Sequence, residues 1–419
     1  MGNQRKAVVL VHGMGNQVPL TSIREFVENI ASGGTQLYSS PDRIMHDYET
    51  RRFSYHNRNV DYYEFYWAHL MKEPTMYDIV TWSFNLIFCK NLSARAKKPI
   101  WILRIILLGL AVALIISGVL FENQVIEFFN VKNVLASGIG IFIIYKLIYP
   151  ALKYFFSNLI LQSIGDVIRY TMPTPQNIEV RNLIRKKGVE LLQKLHDAKN
   201  SDGKDTYSDI VLVGHSLGSI VCFDLLTFLF PQYHTKYVYK DHHDQQDIKD
   251  FGNQDFYSND YDFTDYQEKQ RKVGLNYRKF ELSWKFSDFI TLGSPLTHAA
   301  MVLANNEAEF ITRKNIREFP TCPPSKDPHD EYKYFFEHGP NNFLVPHHAA
   351  LFTMTRWTNI FYSNDIIGGR LKDIFGKGIK DIELKAEGSW WRRNIPFTSH
   401  TYYWNKKEKA CIHELDKIV

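Results

Sequence analysis

Apolar residues stand in unbroken rows at several points of this chain, each row ending in a polar or glycine-rich turn. "KAVVLVHGMGNQ", "DIVLV" at 209–213 and "SDFITLGSP" follow this plan, as does "RWTNIFYSNDIIGG". Short β-branched rows bounded by turn residues predict strands buried on both faces. "NVDYYEFYWAHL" adds an aromatic strand, and "KDIELKAEGSWWRRNIPFTSHTYYW" holds a last strand followed by a long loop. Between them, "EVRNLIRKKGVELLQKLHD" and "SIVCFDLLTFL" repeat apolar residues at helical spacing. Strands alternating with helices imply an α/β fold, with a mostly parallel sheet and helices on both faces. No internal repeat interrupts the pattern.

Two stretches depart from it. Residues 233–280 are polar, acidic and almost free of aliphatics, which predicts a surface insertion or partly disordered loop, placed as a lid or a partner-binding site would be. The other is a pair of apolar runs, Trp101–Phe121 and Val134–Leu152. A bilayer span needs about 20 apolar residues. Ile105–Phe121 offers 17 without a charge, and Trp101–Phe121 offers 21 if Arg104 snorkels. The second run is broken by Lys146. Arg95, Lys97 and Lys98 precede the pair and Lys153 follows it, so the excess of positive charge would hold both flanks in the cytosol. The expectation is a two-helix transmembrane hairpin over 99–153, inserted between an N-terminal part, 1–98, and a main part, 154–419. A greasy lid or a pair of interfacial helices is the competing reading.

Composition alters this picture little. Of 419 residues, 45% are hydrophobic and 23% charged, ordinary for a folded chain. The 24 Tyr and 29 Phe are a surplus that suits membrane interfaces, greasy clefts or plain core packing. A net charge of +5, without a Lys/Arg block, gives no footprint for nucleic acid. Cys89, Cys222, Cys322 and Cys411 are far apart and form no CxxC, which predicts reduced thiols and neither a zinc cage nor a disulfide framework. The first residues lack the apolar core of a secretory signal, and Lys6 stands where a myristoylation motif wants Ser or Thr. His242, His243, Asp244, Asp260 and Asp262 suggest metal ligands, but no HExxH or calcium-loop glycine accompanies them, so no metal is expected.

The chemistry gathers in three places. Gly214-His215-Ser216-Leu217-Gly218 matches G-x-S-x-G, and it lies after a strand and before a helix, the setting that exposes a serine on a tight turn. Ser216 is the candidate nucleophile. "VVLVHGMG" places His12-Gly13-Met14-Gly15 after a strand, the form of a loop whose amides hold an oxyanion. A phosphate-binding loop is the alternative, but the Lys-Ser/Thr of a P-loop is missing. Ser294, in "ITLGSPL", is a candidate wall residue of the cleft, because no elbow surrounds it.

Taken together, these motifs resemble serine lipases and esterases of the α/β-hydrolase superfamily. "VLVGHSLGSIV" with "FDLL" is similar to DDHD-type intracellular phospholipases and to lipase-like GPI-inositol deacylases. The resemblance implies an α/β-hydrolase fold with nucleophile, acid and histidine in that chain order. Asp365, in the polar turn after "NIFYS", would be the acid, although Asp also caps its own turns. His400, in the loop past "KDIEL", would be the base. His298, His347 and His348 precede the acid, and His413 lies in a charged tail. The amides of Met14 and Leu217 would hold the oxyanion, with His12 and Gly13 shaping the loop. No cofactor is implied. The expected protein is a membrane-anchored hydrolase of lipid or phospholipid acyl esters, its catalytic part facing the cytosol and membrane lipids as its surroundings. A small-ester or thioester hydrolase, or a silent hydrolase fold serving membrane interaction, are the alternatives.

Overall fold

The computed structural model describes residues 5–14, 18–30, 36–42, 44, 49–56, 58–71, 101, 104–105, 109, 167, 169–172, 174–238, 245–280, 284–327, 333–365, 367–388, 390, 393 and 399–419. Two compact units divide the chain: residues 1–71 with 173–419, and residues 72–172.

The first unit is built on one eight-stranded sheet. Its strands are β1 (Arg5–Val11), β2 (Leu37–Pro41), β3 (Arg51–Tyr55), β4 (Val60–Phe65), β5 (Tyr207–His215), β6 (Phe286–Leu292), β9 (Arg356–Tyr362) and β10 (Lys380–Leu384). β7 (Phe335–His338) and β8 (Phe343–Pro346) form a separate antiparallel pair. The order across the large sheet is β2-β3-β4-β1-β5-β6-β9-β10. From β4 to β10 every neighbouring pair is parallel, whereas β2 and β3 form an antiparallel margin.

The unbroken apolar rows mark the middle of this sheet. Ala7–Val11 and Ile210–Val213 are buried on both sides. Val8 and Leu10 of β1 and Val211 and Val213 of β5 pack with Ile23, Phe26, Val27 and Ile30 of helix α1 (Thr21–Ile30), and with Leu415 of the last helix. The alternate residues point to the opposite face, as successive strand side chains must. There α3 (Leu217–Leu229) covers β1 and β5, and α2 (Pro175–His196) packs on α3. Thr174 caps α2, its hydroxyl accepting from Asn177 N–H, and Pro175 takes the first helical position, where a missing N–H costs nothing.

The chain leaves β1 toward β2–β4 on one side and leaves β5 toward β6, β9 and β10 on the other. The direction of winding therefore reverses between β1 and β5. In open parallel sheets that reversal opens a crevice beyond the carboxyl ends of the strands, where ligands bind. Register brings those ends level: Val11 pairs with Gly214, His215 with Leu292, and Leu292 with Ile360.

One expectation changes here. The inserted two-helix hairpin, and with it an integral membrane location, is corrected: among the described residues no helix is long and apolar enough to cross a membrane. Of 99–153 only Trp101, Arg104, Ile105 and Gly109 are described, all helical; the rest of both runs lies outside the described residues. The physical reason is that hydropathy counts side chains, whereas a span needs an unbroken helix that satisfies its own backbone over about 20 residues. The polar stretch, expected as a surface insertion or partly disordered loop, contains helices where it is described. Its described part folds into α4 (Gln246–Gly252) and α5 (Tyr266–Lys279). Phe251, Phe256, Tyr266 and Tyr277 are buried there with Ile248 and Val273, so aromatic rings supply most of the apolar surface.

Candidate active site

Ser216 stands where β5 ends and α3 begins, with φ 52° and ψ −128°. A non-glycine residue with positive φ is strained by roughly 1–3 kcal/mol and needs surroundings that fix it. They do so from three sides. Ser216 N–H donates to the Leu292 carbonyl at 2.9 Å, across to β6. Its own carbonyl accepts from Ser219 N–H at 2.9 Å and from the Ser219 hydroxyl at 2.6 Å. Ser294, fully buried, hydrogen-bonds Ser219 Oγ at 2.6 Å and accepts from Leu296 N–H at 3.2 Å. Ser294 thus buttresses the turn from within.

The flanking glycines are there for close approach. A Cβ on Gly214 would fall 2.6 Å from the Ser219 Cα. On Gly13 it would fall 2.9 Å from the Ser216 Cβ, which shows how closely the loop after β1 lies over the serine. His12 fixes that loop. Its Nδ1–H donates to the Gly13 carbonyl at 2.7 Å, and its Nε2 accepts Trp67 N–H at 3.2 Å. The Trp67 indole N–H donates to the His12 carbonyl at 3.1 Å, and the two rings stack at 5.1 Å. Burial holds His12 down at about 4, against the opposing pull of the Gly13 carbonyl, so the ring is neutral at ordinary pH. Met14 follows this pair. Leu217 is the first residue of α3, whose first-turn N–H groups have no partner within the helix. Gly15 lies outside the described residues.

The three proposed reactive residues meet at this edge. His400 Nε2 is 2.9 Å from Ser216 Oγ, and its Nδ1 is 2.8 Å from Asp365 Oδ2. Asp365 sits in the turn leaving β9, its N–H donating to the Tyr362 carbonyl at 3.0 Å. Its Oδ2 also accepts the Tyr403 hydroxyl at 2.7 Å, and its Oδ1 accepts Ile367 N–H at 2.9 Å. Burial pushes this carboxyl up, but His400, Tyr403 and the Ile367 N–H outweigh it and hold it down at about 2. An ionised carboxylate on Nδ1 places the imidazole proton there and leaves the Nε2 lone pair facing the serine hydroxyl. All three side chains are buried, where screening by water is weak.

Sequence reasoning missed Ser219, Tyr403 and Gly293. Gly293, with φ 54°, lies so close to Asp365 that a Cβ would meet its Oδ2 at 2.8 Å. Tyr403, three residues after the histidine in "SHTYYW", was legible only as one more aromatic. Of the other histidines, His347 is held in its own loop, Nε2 to the Ser325 carbonyl and Nδ1 to Ala349 N–H. Among the described residues no group of His, Cys, Asp and Glu could hold a metal ion. His242, His243 and Asp244 lie outside them, while Asp262 caps its own turn on Thr264.

Glu64 ties down the far end of the loop after β1. Its Oε2 accepts Leu20 N–H at 2.9 Å, while Oε1 is buried without a partner among the described residues. Burial raises this carboxyl to about 7, with the Leu20 N–H pulling the other way. A raised carboxyl pKa means the folded chain holds a proton that the unfolded chain releases earlier. The stabilisation is complete below the ordinary 4.5 and is lost as pH rises through about 7. Glu64→Gln keeps an acceptor for Leu20 and cannot ionise. Its melting temperature should match wild type near pH 4, pull ahead as pH rises from about 4.5 to about 7, and keep a constant lead above that, measured by scanning calorimetry.

Compared with family models, curated proteins and solved structures, the chain matches none.

Proposed function

We propose that this chain is a serine hydrolase of carboxylic esters, of the α/β-hydrolase type. One observation carries the reading. A single imidazole touches a strained serine hydroxyl with one nitrogen and a buried carboxylate with the other, at the crevice where the sheet reverses its winding.

The chemistry follows from the atoms. Ser216 Oγ attacks the ester carbonyl carbon while His400 Nε2 takes the hydroxyl proton. Asp365, ionised, stabilises the imidazolium that forms and does not take the proton itself. The carbonyl oxygen becomes an alkoxide, for which the amides of Met14, next to the Gly13 that approaches the serine, and of Leu217, the residue after it, are the candidate donors. The C–O bond to the leaving alcohol breaks, and His400 returns its proton to that oxygen. Water then repeats the sequence on the acyl-serine, releasing the acid and restoring Ser216. Every step uses groups of this chain and water. Lipid acyl esters are the substrates to test first, a choice supported by the motif's resemblance to intracellular phospholipases and by the aromatic surplus.

A fluorophosphonate probe tests the reading. The purified full chain should take up one phosphonyl group, and peptide mass spectrometry should place it on Ser216. Nitrophenyl esters from acetate to palmitate should be turned over, with kcat/KM rising along the series for a lipid-type substrate. A folded chain that neither labels nor hydrolyses any member rules the enzyme out.

A further inference from the structure

His215 is the residue before the serine, and its ring lies close to Gly13 of the loop after β1. It ends β5, and its side chain turns toward the loop that carries His400. His215 Nε2–H donates to the backbone carbonyl of His400 at 2.8 Å. The ring is enclosed by those of His400, Tyr403 and Trp404, at centroid distances of 5.2, 5.6 and 5.0 Å. On its other edge, a Cβ added to Gly13 would fall 3.2 Å from His215 Nδ1. His215 therefore adjoins Ser216 along the chain, has its Nδ1 edge close to Gly13, and is hydrogen-bonded to the base loop through Nε2.

We infer that His215 is a positioning residue that sets the base-carrying loop and the oxyanion loop in register with Ser216. The inference rests on the ester-hydrolase reading of the same site. Two ties hold the His400 loop near the serine. Tyr403 fastens it to β9, its hydroxyl donating to Asp365 and accepting Tyr362 N–H at 3.3 Å. His215 fastens it to β5, directly beside Ser216, and it is the tie that acts on the backbone of His400 itself. Without it the imidazole keeps its carboxylate but loses the reference that places Nε2 opposite Oγ. Misplacement of a reacting group by about 1 Å costs on the order of 10²-fold in rate.

The clasp needs a proton on Nε2, which in the neutral ring fixes the tautomer. Burial, followed by the neighbouring His400, holds His215 down at about 3, so that form persists across the working range of pH. A glutamine is the conservative replacement, because its amide N–H reaches the same distance as Nε2. Phenylalanine keeps a flat ring and removes the donor.

The test compares His215→Phe and His215→Gln in the full chain, with nitrophenyl ester kinetics and fluorophosphonate labelling rates. His215→Phe should lower kcat by about 10²-fold with KM within a factor of about three, since the loss falls on alignment and not on substrate binding. His215→Gln should restore most of it. Equal kcat in His215→Phe and wild type, or no advantage of Gln over Phe when both fold, overturns the inference. Nitrogen-15 histidine spectra of the wild type supply a readout free of activity and of mutant folding. The ring assigned to His215 through its own backbone, and distinguished in this way from His347, should show a slowly exchanging Nε2–H that persists down to mildly acidic pH. An Nδ1–H tautomer for His215, or fast exchange, overturns the clasp. A wild-type chain that shows that proton yet hydrolyses nothing sinks the hydrolase reading and leaves the contact standing.

Discussion

Asp365→Asn should leave the chain folded and lower kcat by about 10⁴-fold, with KM nearly unchanged. The size of the effect follows from a count of donors. Asp365 Oδ2 accepts from two hydrogens at once, those of His400 Nδ1 and the Tyr403 hydroxyl, while Oδ1 accepts Ile367 N–H. An asparagine that keeps its oxygen on Ile367 must present NH₂ to the other two. Tyr403 can turn its proton away and accept. The imidazole can accept only by moving its own proton to Nε2, and then a hydrogen faces Ser216 Oγ where a lone pair is needed. The base is still in place, in the wrong tautomer. Nitrophenyl acetate kinetics and the fluorophosphonate labelling rate should fall together, and a loss under tenfold would mean that Asp365 does not orient His400.

The same carboxylate also contributes to stability, and the sign can be stated. It is held at about 2, below its ordinary 3.8, so the folded chain favours the ionised form. Its stabilisation is complete above pH 4 or so and fades as pH falls through about 2. Asp365→Asn should therefore be less stable than wild type at neutral pH, with the gap closing in strong acid.

What the sequence revealed and what it hid divide along one line. Ser216 stood out as a candidate because its setting is local: two glycines, a preceding apolar strand and a following helix lie within about twenty residues of each other. Asp365 and His400 were reachable only through the chain order of a resembling family, and their hydrogen bonds join positions 35 and 184 residues apart. Tyr403 and Ser219 left no signal, since a tyrosine among aromatics and a serine in a helix look like packing until the partner is seen. The helices of the polar stretch were hidden for a different reason. Counting aliphatics ignored Phe251, Phe256, Tyr266 and Tyr277, whose rings are large enough to close a small core. The apolar runs misled in the opposite sense, because side-chain hydropathy carried a claim about a continuous helix.

Gly218→Ala should cost more stability than any single change so far considered, about 3 kcal/mol or more. Gly218 is the second residue of α3 and lies against the end of β1. A Cβ there would fall inside contact distance of the Val11 and His12 carbonyl oxygens and 2.8 Å from the Val11 carbonyl carbon. These are backbone atoms of a central strand and of the loop that leaves it, so no side chain can rotate to make room. Relief requires α3 to lift from the sheet or the His12 loop to move, and the second breaks the bond from the Trp67 indole to the His12 carbonyl. Either motion also separates Gly13 from Ser216, so labelling should be lost along with stability. Gly274→Ala in α5 is the contrast. Its Cβ would meet nothing closer than the Met354 carbonyl oxygen at 3.5 Å, and the change should stabilise by about 0.5–1 kcal/mol through helix propensity alone. Urea unfolding of the two variants beside wild type separates the cases. If Gly218→Ala unfolds at the same urea concentration as wild type, α3 does not approach β1 as closely as the serine's placement requires.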